Sequence, residues 1–235
     1  MAPSEGALSP ARTLILSGGG RFSDPWHPFE LTSDELAQTA SSLGLSVEIS
    51  EDLEKRAADL SDVSILIVNA TDAPPTGDRE AAHRGIRRFL KDGGRILAMH
   101  VGGSTLLGLP EWNAVTGMRW VDGRSSHMPV GEARVAAHPE RHVIARDLGE
   151  FDLVDECYVD LELAPDLVPF VTHDLNGRTY PLAWARTYGK STVVVDALGH
   201  GVESYRSPEH RRLLMQAIEW LSPPSQVGPT EEVAE

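Results

Sequence analysis

The sequence contains only one cysteine, Cys157, among its 235 residues. A single cysteine excludes an intramolecular disulfide, and it agrees with a reducing compartment such as the cytoplasm, which is the location we expect. Three acidic residues, Asp155, Glu156 and Asp160, lie close to it, and acidic neighbours disfavour the thiolate that a reactive cysteine needs. We therefore interpret Cys157 as a buried structural thiol. A cysteine-dependent hydrolase is the weakest of the functional hypotheses.

Long hydrophobic runs are also absent. The longest apolar segments, such as 64–68 and 192–195, are far shorter than the roughly 20 residues that cross a bilayer. Basic residues are scarce as well, with 21 Lys and Arg against 35 Asp and Glu, and the net charge is -14. Such a charge repels phosphate backbones and anionic lipids. We therefore expect a soluble protein that binds neither nucleic acid nor membranes.

The composition divides the chain into a body and two ends. Residues 222–235 contain three glutamates and three prolines with few apolar side chains, which predicts a disordered acidic tail. Residues 1–11 are expected to form a flexible N-terminus. The body, residues 12–221, contains no internal repeat and no low-complexity linker, so we expect one α/β domain there.

Short apolar segments alternate with helical patterns in the first half of the body. Strands are predicted at 13–17, 45–49, 63–68 and 95–99. The helices between them are predicted to begin near Thr32, where Thr32 and Ser33 resemble capping residues, and at Leu53 and Asp78. This alternation predicts right-handed βαβ crossovers and a parallel sheet.

The second half is less regular. Only a short helix is predicted after Ser104. Beyond it we predict strands at 133–136, 154–163 and 167–172 and a β-hairpin from 182 to 197 that turns at Gly189. Ser207 and Pro208 have the character of an N-cap and a first helical residue, which predicts a final helix that ends at Ser222.

Histidines follow three of the predicted strands. His100 comes directly after the fourth strand, His27 follows the glycine loop after the first, and His200 follows the last. In open parallel sheets, ligands bind beyond the carboxyl ends of the strands, so these side chains should project toward one rim. This convergence is the strongest chemical signal in the sequence. The alternative for His100 is a purely structural histidine that is hydrogen-bonded to a neighbouring loop.

Further candidates lie near the same strand ends. In the pair Asp155-Glu156, one carboxylate can turn inward for metal ligation or proton transfer, and the alternative is a solvated strand edge. Trp26, beside His27, is placed to stack on a sugar ring. The candidate substrate-binding residues are, in chain order, Gly19, Trp26, His27, Asn69, Gly102, His127 and Trp184.

A series of short motifs resembles the ThuA-like, or trehalose-utilisation, family. The motifs extend over about residues 13–221 and are, in chain order, Leu97-Ala98-Met99-His100, Ala137-His138-Pro139 with Asp147-Leu148, Asp155-Glu156-Cys157-Tyr158, Pro181 to Trp184, and Ala197-Leu198-Gly199-His200. The resemblance implies an α/β, flavodoxin-like three-layer sandwich of the class I glutamine-amidotransferase type. It implies a mostly parallel central sheet, to which this sequence adds a second half rich in β-hairpins. It also implies that His100 replaces the amidotransferase cysteine.

The resemblance further implies a role in carbohydrate metabolism, with trehalose, a related disaccharide or a 3-keto-glycoside as substrate and a sugar dehydrogenase of the same pathway as partner. We expect a hydrolase or a lyase or isomerase, not an amidotransferase. In it, His100, His200 and Glu156 act as acid/base groups, or His27, His100, His127 and His200 bind a divalent ion such as zinc. The alternative is a non-catalytic sugar-binding or regulatory subunit. Either protein is compatible with a homo-oligomer.

Overall fold

The computed structural model describes residues 12–223, so the predicted flexible N-terminus and residues 224–235 of the predicted tail lie outside the described residues. The strands are β1 (Arg12–Ser17), β2 (Ser46–Ser50), β3 (Ile65–Asn69), β4 (Arg95–Met99), β5 (Met118–Arg119), β6 (Ser126–His127), β7 (Gly131–Ala137), β8 (Glu150–Asp155), β9 (Tyr158–Val159), β10 (Glu162–Leu163), β11 (Pro169–Leu175), β12 (Arg178–Tyr188) and β13 (Ser191–Asp196). The helices are α1 (Phe29–Ser42), α2 (Leu53–Ala57), α3 (Arg79–Lys91), α4 (Trp112–Thr116) and α5 (Pro208–Leu221).

Nine of these strands form one mixed sheet in the order β2-β1-β3-β4-β13-β12-β11-β7-β8. The five strands from β2 to β13 are parallel to one another, because each of their pairings is parallel. The other four strands are added by antiparallel pairing, starting with the β12-β13 hairpin that the sequence predicts. The predicted fold class is confirmed, with a parallel half followed by a hairpin-rich half.

Helices cover both faces of the sheet. The strand residues alternate in direction, so Leu14 and Leu16 of β1 pack on the side of α2, α3 and α4, whereas Ile15 packs on the side of α1 and α5. Each side has its own continuous apolar core, as expected for three layers. None of the helices in residues 12–223 is long and apolar enough to span a membrane.

The first helix begins earlier than predicted. α1 starts at Phe29, so Thr32 and Ser33 are not capping residues but lie buried inside its first turns. Their hydroxyl groups accept hydrogen bonds from the Asn69 amide at the end of β3, both at 2.9 Å, and Ser33 also donates to Ser17 of β1 at 2.7 Å. The hydroxyls therefore connect the helix to the sheet, and this tertiary role replaces the local one.

Two other predictions are wrong in a way that affects the site. No helix follows Ser104 directly; the chain makes a 3₁₀ turn over His100–Gly103 instead, and α4 begins only at Trp112. The predicted strand at 154–163 is broken into β8, β9 and β10. The break at Glu156 and Cys157 takes these two residues out of the sheet, which frees the Glu156 side chain to point into the site.

Candidate functional site

Three histidines from distant parts of the chain meet at one edge of the sheet. His27 follows β1, His100 follows β4 and His200 follows β13, and these strands are parallel. Their ring centroids lie 4.8 to 5.2 Å apart. The carboxylate of Glu156, directly after β8, completes the group. We call His27, His100, Glu156 and His200 the histidine cluster; one donor atom from each lies within 4.8 Å of the others.

His100 lies at the tightest point of the backbone. It is 1% exposed and has a φ of 45°, a left-handed conformation that costs energy for a residue other than glycine. Gly102 follows in the same 3₁₀ turn, where a Cβ atom would lie 2.5 Å from the carbonyl oxygen of Val68. A side chain at 102 would therefore prevent the turn from packing on β3. Strained residues of this kind occur preferentially at functional sites.

Hydrogen bonds fix the orientation of two of the imidazoles. Nδ1 of His100 lies 2.9 Å from the carbonyl oxygen of Ala197, which only accepts, so Nδ1 carries the proton and Nε2 faces the cluster. Nδ1 of His27 lies 2.7 Å from the Asp24 carboxylate. Nε2 of His27 is buried and has no hydrogen-bond partner within the described chain. Burial and the neighbouring His100 lower the pKa of His27 although Asp24 opposes this, which favours the neutral ring.

Glu156 connects the cluster to the surface. Its Oε2 lies 3.4 Å from Nε2 of His100 and 3.3 Å from Nδ1 of His200, while its Oε1 lies 2.8 Å from Nδ1 of His127. Burial alone would raise the pKa of Glu156, but the contacts with His100 and His200 outweigh it and hold the pKa well below the usual range. The same carboxylate raises the pKa of His200. Glu156 is therefore ionised at neutral pH.

Asp155 supports the cluster from beneath. Its carboxylate accepts hydrogen bonds from the backbone amides of Gly199 at 2.7 Å and His200 at 3.1 Å, and from the hydroxyl of Ser204 at 2.5 Å. It is 2% exposed. Of the two adjacent acids, one therefore reaches the cluster and the other holds the loop that carries His200.

The sequence interpretation did not identify Asp24 or Tyr158 as site residues. Asp24 accepts hydrogen bonds from the backbone amides of Trp26 and His27, each at 2.9 Å, as well as from the His27 ring. An aspartate three residues before a histidine is a visible signal for such a turn. Tyr158 stacks on His100 at a centroid distance of 4.4 Å, and no local pattern marks this contact.

A cleft of about 880 Å³ opens above the cluster. Its walls include the aromatic side chains of Trp26, Trp120 and Tyr158, and its floor includes His27, His200 and Glu156. Trp26 is 71% exposed at the rim. No lysine or arginine of the described chain is among the lining residues. A site of this kind offers flat apolar faces and hydrogen-bonding groups, but no fixed positive charge for an anionic group.

The other predicted site residues lie in different places. His127 is at the cleft, but its Nδ1 contacts Glu156 and the carbonyl of Met128, and it is not part of the four-donor cluster. Trp184 is fully buried in the core and donates to the Thr116 carbonyl at 2.8 Å. Asn69 connects β3 to α1, and a Cβ atom at Gly19 would overlap the carboxyl group of Glu51. These three, like the buried Gly102, do not line the cleft.

Cysteine chemistry does not fit the site. Cys157 is 1% exposed, and burial together with Asp155 and Glu156 raises the pKa of its thiol to about 12. A thiol with this pKa remains protonated at neutral pH. Any chemistry that this chain's own side chains perform in the cleft therefore comes from imidazole and carboxylate groups.

Comparison with known families places the chain. The model of the ThuA family, described as trehalose utilisation, matches residues 15–221. The chain belongs to the ThuA family. A search among curated protein sequences gave no match.

Solved structures show the same fold. A protein named as ThuA-like from Parabacteroides merdae ATCC 43184 has a TM-score of 0.74 at 18% identity, with 91% of this chain and 90% of that chain covered. A second, from Bacteroides uniformis ATCC 8492, has a TM-score of 0.70 at 17% identity, with 94% and 95% covered. A Thermoplasma acidophilum protein that is named for GMP synthase has a TM-score of 0.56 at 14% identity, with 92% and 96% covered. The likeness extends to the amidotransferase-like fold.

Proposed function

We propose that this ThuA-family protein is an enzyme that acts on an uncharged carbohydrate, such as trehalose, a related disaccharide or a 3-keto-glycoside. The observation that carries the proposal is the meeting of three imidazoles and one carboxylate on the floor of an aromatic cleft. Family membership supports the role in sugar metabolism, since the family is described as trehalose utilisation. The alternative is a non-catalytic sugar-binding or regulatory subunit that uses the same cleft.

The polarity of the cleft supports a neutral substrate. Sugars without phosphate or carboxylate groups need aromatic faces and hydrogen-bonding partners, and Trp26, Trp120 and Tyr158 supply the faces. A phosphorylated sugar would need arginine or lysine, which the lining lacks within the described chain. The net charge of -14 adds a further repulsion against anionic substrates.

The cluster contains the groups that acid/base chemistry on a sugar requires. Glu156 is held as a carboxylate, and it and a neutral imidazole are suitable bases for water or for a carbon beside a ketone. His200, whose pKa is raised by Glu156, is a suitable acid for a leaving oxygen. His100, held by the Ala197 carbonyl, presents Nε2 at the same point. These roles are compatible with a hydrolase and with a lyase or isomerase.

The proposal includes a cellular setting. If the substrate is a keto-sugar, an oxidation must precede this reaction, so a sugar dehydrogenase is the partner in the reaction sequence. We place both in the cytoplasm, since the only cysteine of the chain is a buried free thiol and a reducing compartment suits it.

The test is an assay of the purified full-length protein with trehalose, other disaccharides, their 3-keto forms and a 6-phosphate. We expect product from a neutral sugar and a loss of kcat/KM of about 100-fold or more in His100→Ala and in His200→Ala. His138→Ala is the control, because His138 contacts Thr172 at 2.9 Å and is not among the cleft residues. Full turnover in both cluster variants would contradict the catalytic assignment.

Two further outcomes separate the alternatives. Saturable sugar binding without any product would establish the non-catalytic subunit instead. Neither binding nor product with every neutral sugar of the panel, or a preference for the 6-phosphate, would contradict the substrate class.

A further inference from the structure

The distances inside the histidine cluster are unusual for hydrogen bonds. Nε2 of His100, Nδ1 of His200 and Oε2 of Glu156 form a triangle with sides of 3.3, 3.3 and 3.4 Å. Hydrogen bonds between an imidazolium and a carboxylate are normally about 2.7 to 2.9 Å long. The same carboxylate does make such a bond on its other side, at 2.8 Å to His127. The longer distances are therefore specific to the cluster.

Metal coordination explains this spacing. A first-row divalent ion binds imidazole nitrogen and carboxylate oxygen at about 2.0 to 2.2 Å, so neighbouring ligand atoms of a tetrahedral site are about 3.3 Å apart. All three sides of the triangle agree with that value. The donor atom of His27 lies farther out, within 4.8 Å of the others, and completes a set of four.

The orientation of the rings is a second, independent observation. Imidazoles that ligate metals usually donate their other ring N–H to a carboxylate or a carbonyl oxygen, which directs the free nitrogen toward the ion. His27 does this with Asp24 at 2.7 Å, and His100 does it with Ala197 at 2.9 Å. As a result, Nε2 of His27 is buried without a partner in the described chain. A buried nitrogen of this kind is costly unless something binds it.

We propose that His100, His200 and Glu156, with His27 as the fourth ligand, form a binding site for one first-row divalent ion such as zinc. Three nitrogen donors and one oxygen favour such an ion over magnesium or calcium, which prefer oxygen ligands. The assignment differs from the predicted set of four histidines, because Glu156 takes the place of His127. His127 acts through Glu156 and holds its second oxygen.

The bound ion would lie on the floor of the cleft, where Glu156 and His200 are among the lining residues. There it would polarise a carbonyl or hydroxyl oxygen of a bound molecule. The metal proposal concerns the four side chains only and does not depend on the substrate. A failure of the sugar assay and a failure of metal binding are therefore separate results.

The test is a titration of chelator-stripped, full-length protein with Zn²⁺ and with Co²⁺. Equilibrium dialysis with elemental analysis gives the stoichiometry, and the visible absorption of Co²⁺ reports the coordination geometry. We expect about one ion per chain and a tetrahedral-type Co²⁺ spectrum. Glu156→Gln and His100→Ala should each weaken binding by more than about 100-fold, since each removes a ligand. Asp24→Asn, which removes only the support of His27, should weaken it by about 10 to 100-fold.

His138→Ala is the matched control, because it removes a histidine that is not in the cluster, and its affinity should equal that of the wild type. Glu156→Gln is nearly isosteric, and an unchanged circular dichroism spectrum will show that it folds. Absence of stoichiometric binding in the wild type would overturn the proposal. Undiminished binding in both Glu156→Gln and His100→Ala would also overturn it, since the ion would then be held elsewhere.

Discussion

Two buried glutamates illustrate the difference between a structural group and a functional one. Glu54, in α2, is 2% exposed, and Glu156 is 8% exposed. Glu54 lies 2.6 Å from Nε of Arg79 and 2.7 Å from Nη2 of Arg21, and it also accepts from the hydroxyl of Thr76. These are short, charge-assisted contacts with permanently charged partners.

The surroundings of Glu156 are different. Its Oε2 faces two imidazoles at 3.3 and 3.4 Å, and the residue lines an open cleft. Both carboxyl groups have a lowered pKa, so the pKa alone does not distinguish them. The contact lengths and the position at the cleft do. The protein satisfies Glu54 completely, whereas it leaves the donors around Glu156 arranged for something that binds there.

The largest expected effect separates the two groups by stability. Glu54→Gln leaves Arg79 buried without its counter-charge, so the free energy of unfolding should fall by about 3 to 5 kcal/mol. Glu156→Gln in chelator-stripped protein should change it by less than about 1 kcal/mol, because the lost contacts are long. Urea unfolding of both variants measures this. Equal losses would show that Glu156 is as structural as Glu54.

The next effect concerns Asp155, which supports the site from the core. Asp155→Asn removes a charged acceptor from the amides of Gly199 and His200 and from Ser204, and it should lower the free energy of unfolding by about 2 to 3 kcal/mol. It should also weaken metal binding, because the loop with His200 loses its support. Asp152→Asn, in the same strand but exposed, is the control and should be within about 0.5 kcal/mol of wild type. A neutral result for Asp155→Asn would remove its positioning role.

A third effect is a dependence of stability on acid. The pKa of Glu54 is about 2 in the folded protein, below its ordinary value of 4.5, so the unfolded chain binds the proton first. The stabilisation is therefore complete above about pH 4.5 and is lost as the pH falls toward 2, with a slope of at most about 1.4 kcal/mol per pH unit. Unfolding free energies measured from about pH 5 to 3 should change less for Glu54→Gln than for wild type. Identical slopes would disagree with the assignment.

The smallest effect is at the rim of the cleft. Trp26→Ala should leave the free energy of unfolding within about 0.5 kcal/mol of wild type, because Trp26 is 71% exposed. It should raise the KM for a sugar substrate by about 3 to 10-fold, since a stacking surface is lost. Leu31→Ala removes another exposed apolar side chain, outside the cleft, and should change neither quantity. If the two variants have the same KM, Trp26 does not contact the substrate.

The sequence was sufficient for the parts of the fold that local pattern controls. The strand 95–99 was predicted with its observed bounds because its apolar run is bordered by Gly94 and His100. The meeting of His27, His100 and His200 followed from the rule that parallel strands end at one edge. The antiparallel hairpin followed from alternation around Gly189.

The remaining features depend on contacts between residues far apart in the chain. Trp184 and Asn69 had the right residue type and place for a site, but packing and hydrogen bonding direct them into the core and toward α1. The choice between His127 and Glu156 as a cluster member depends on where the chain leaves β8, which no local pattern specifies. Spacing alone therefore identified the location of the site but not its full membership.

The most direct test of the central claim is unfolding in the presence and absence of zinc. If the cluster around Glu156 binds one ion in the folded state only, zinc at about 100 times its dissociation constant should raise the free energy of unfolding of wild type by about 2.7 kcal/mol. Glu54→Gln, although less stable, should gain the same amount, and Glu156→Gln should gain little. If wild type gains nothing from zinc, or Glu156→Gln gains as much as wild type, the account of the cluster is wrong.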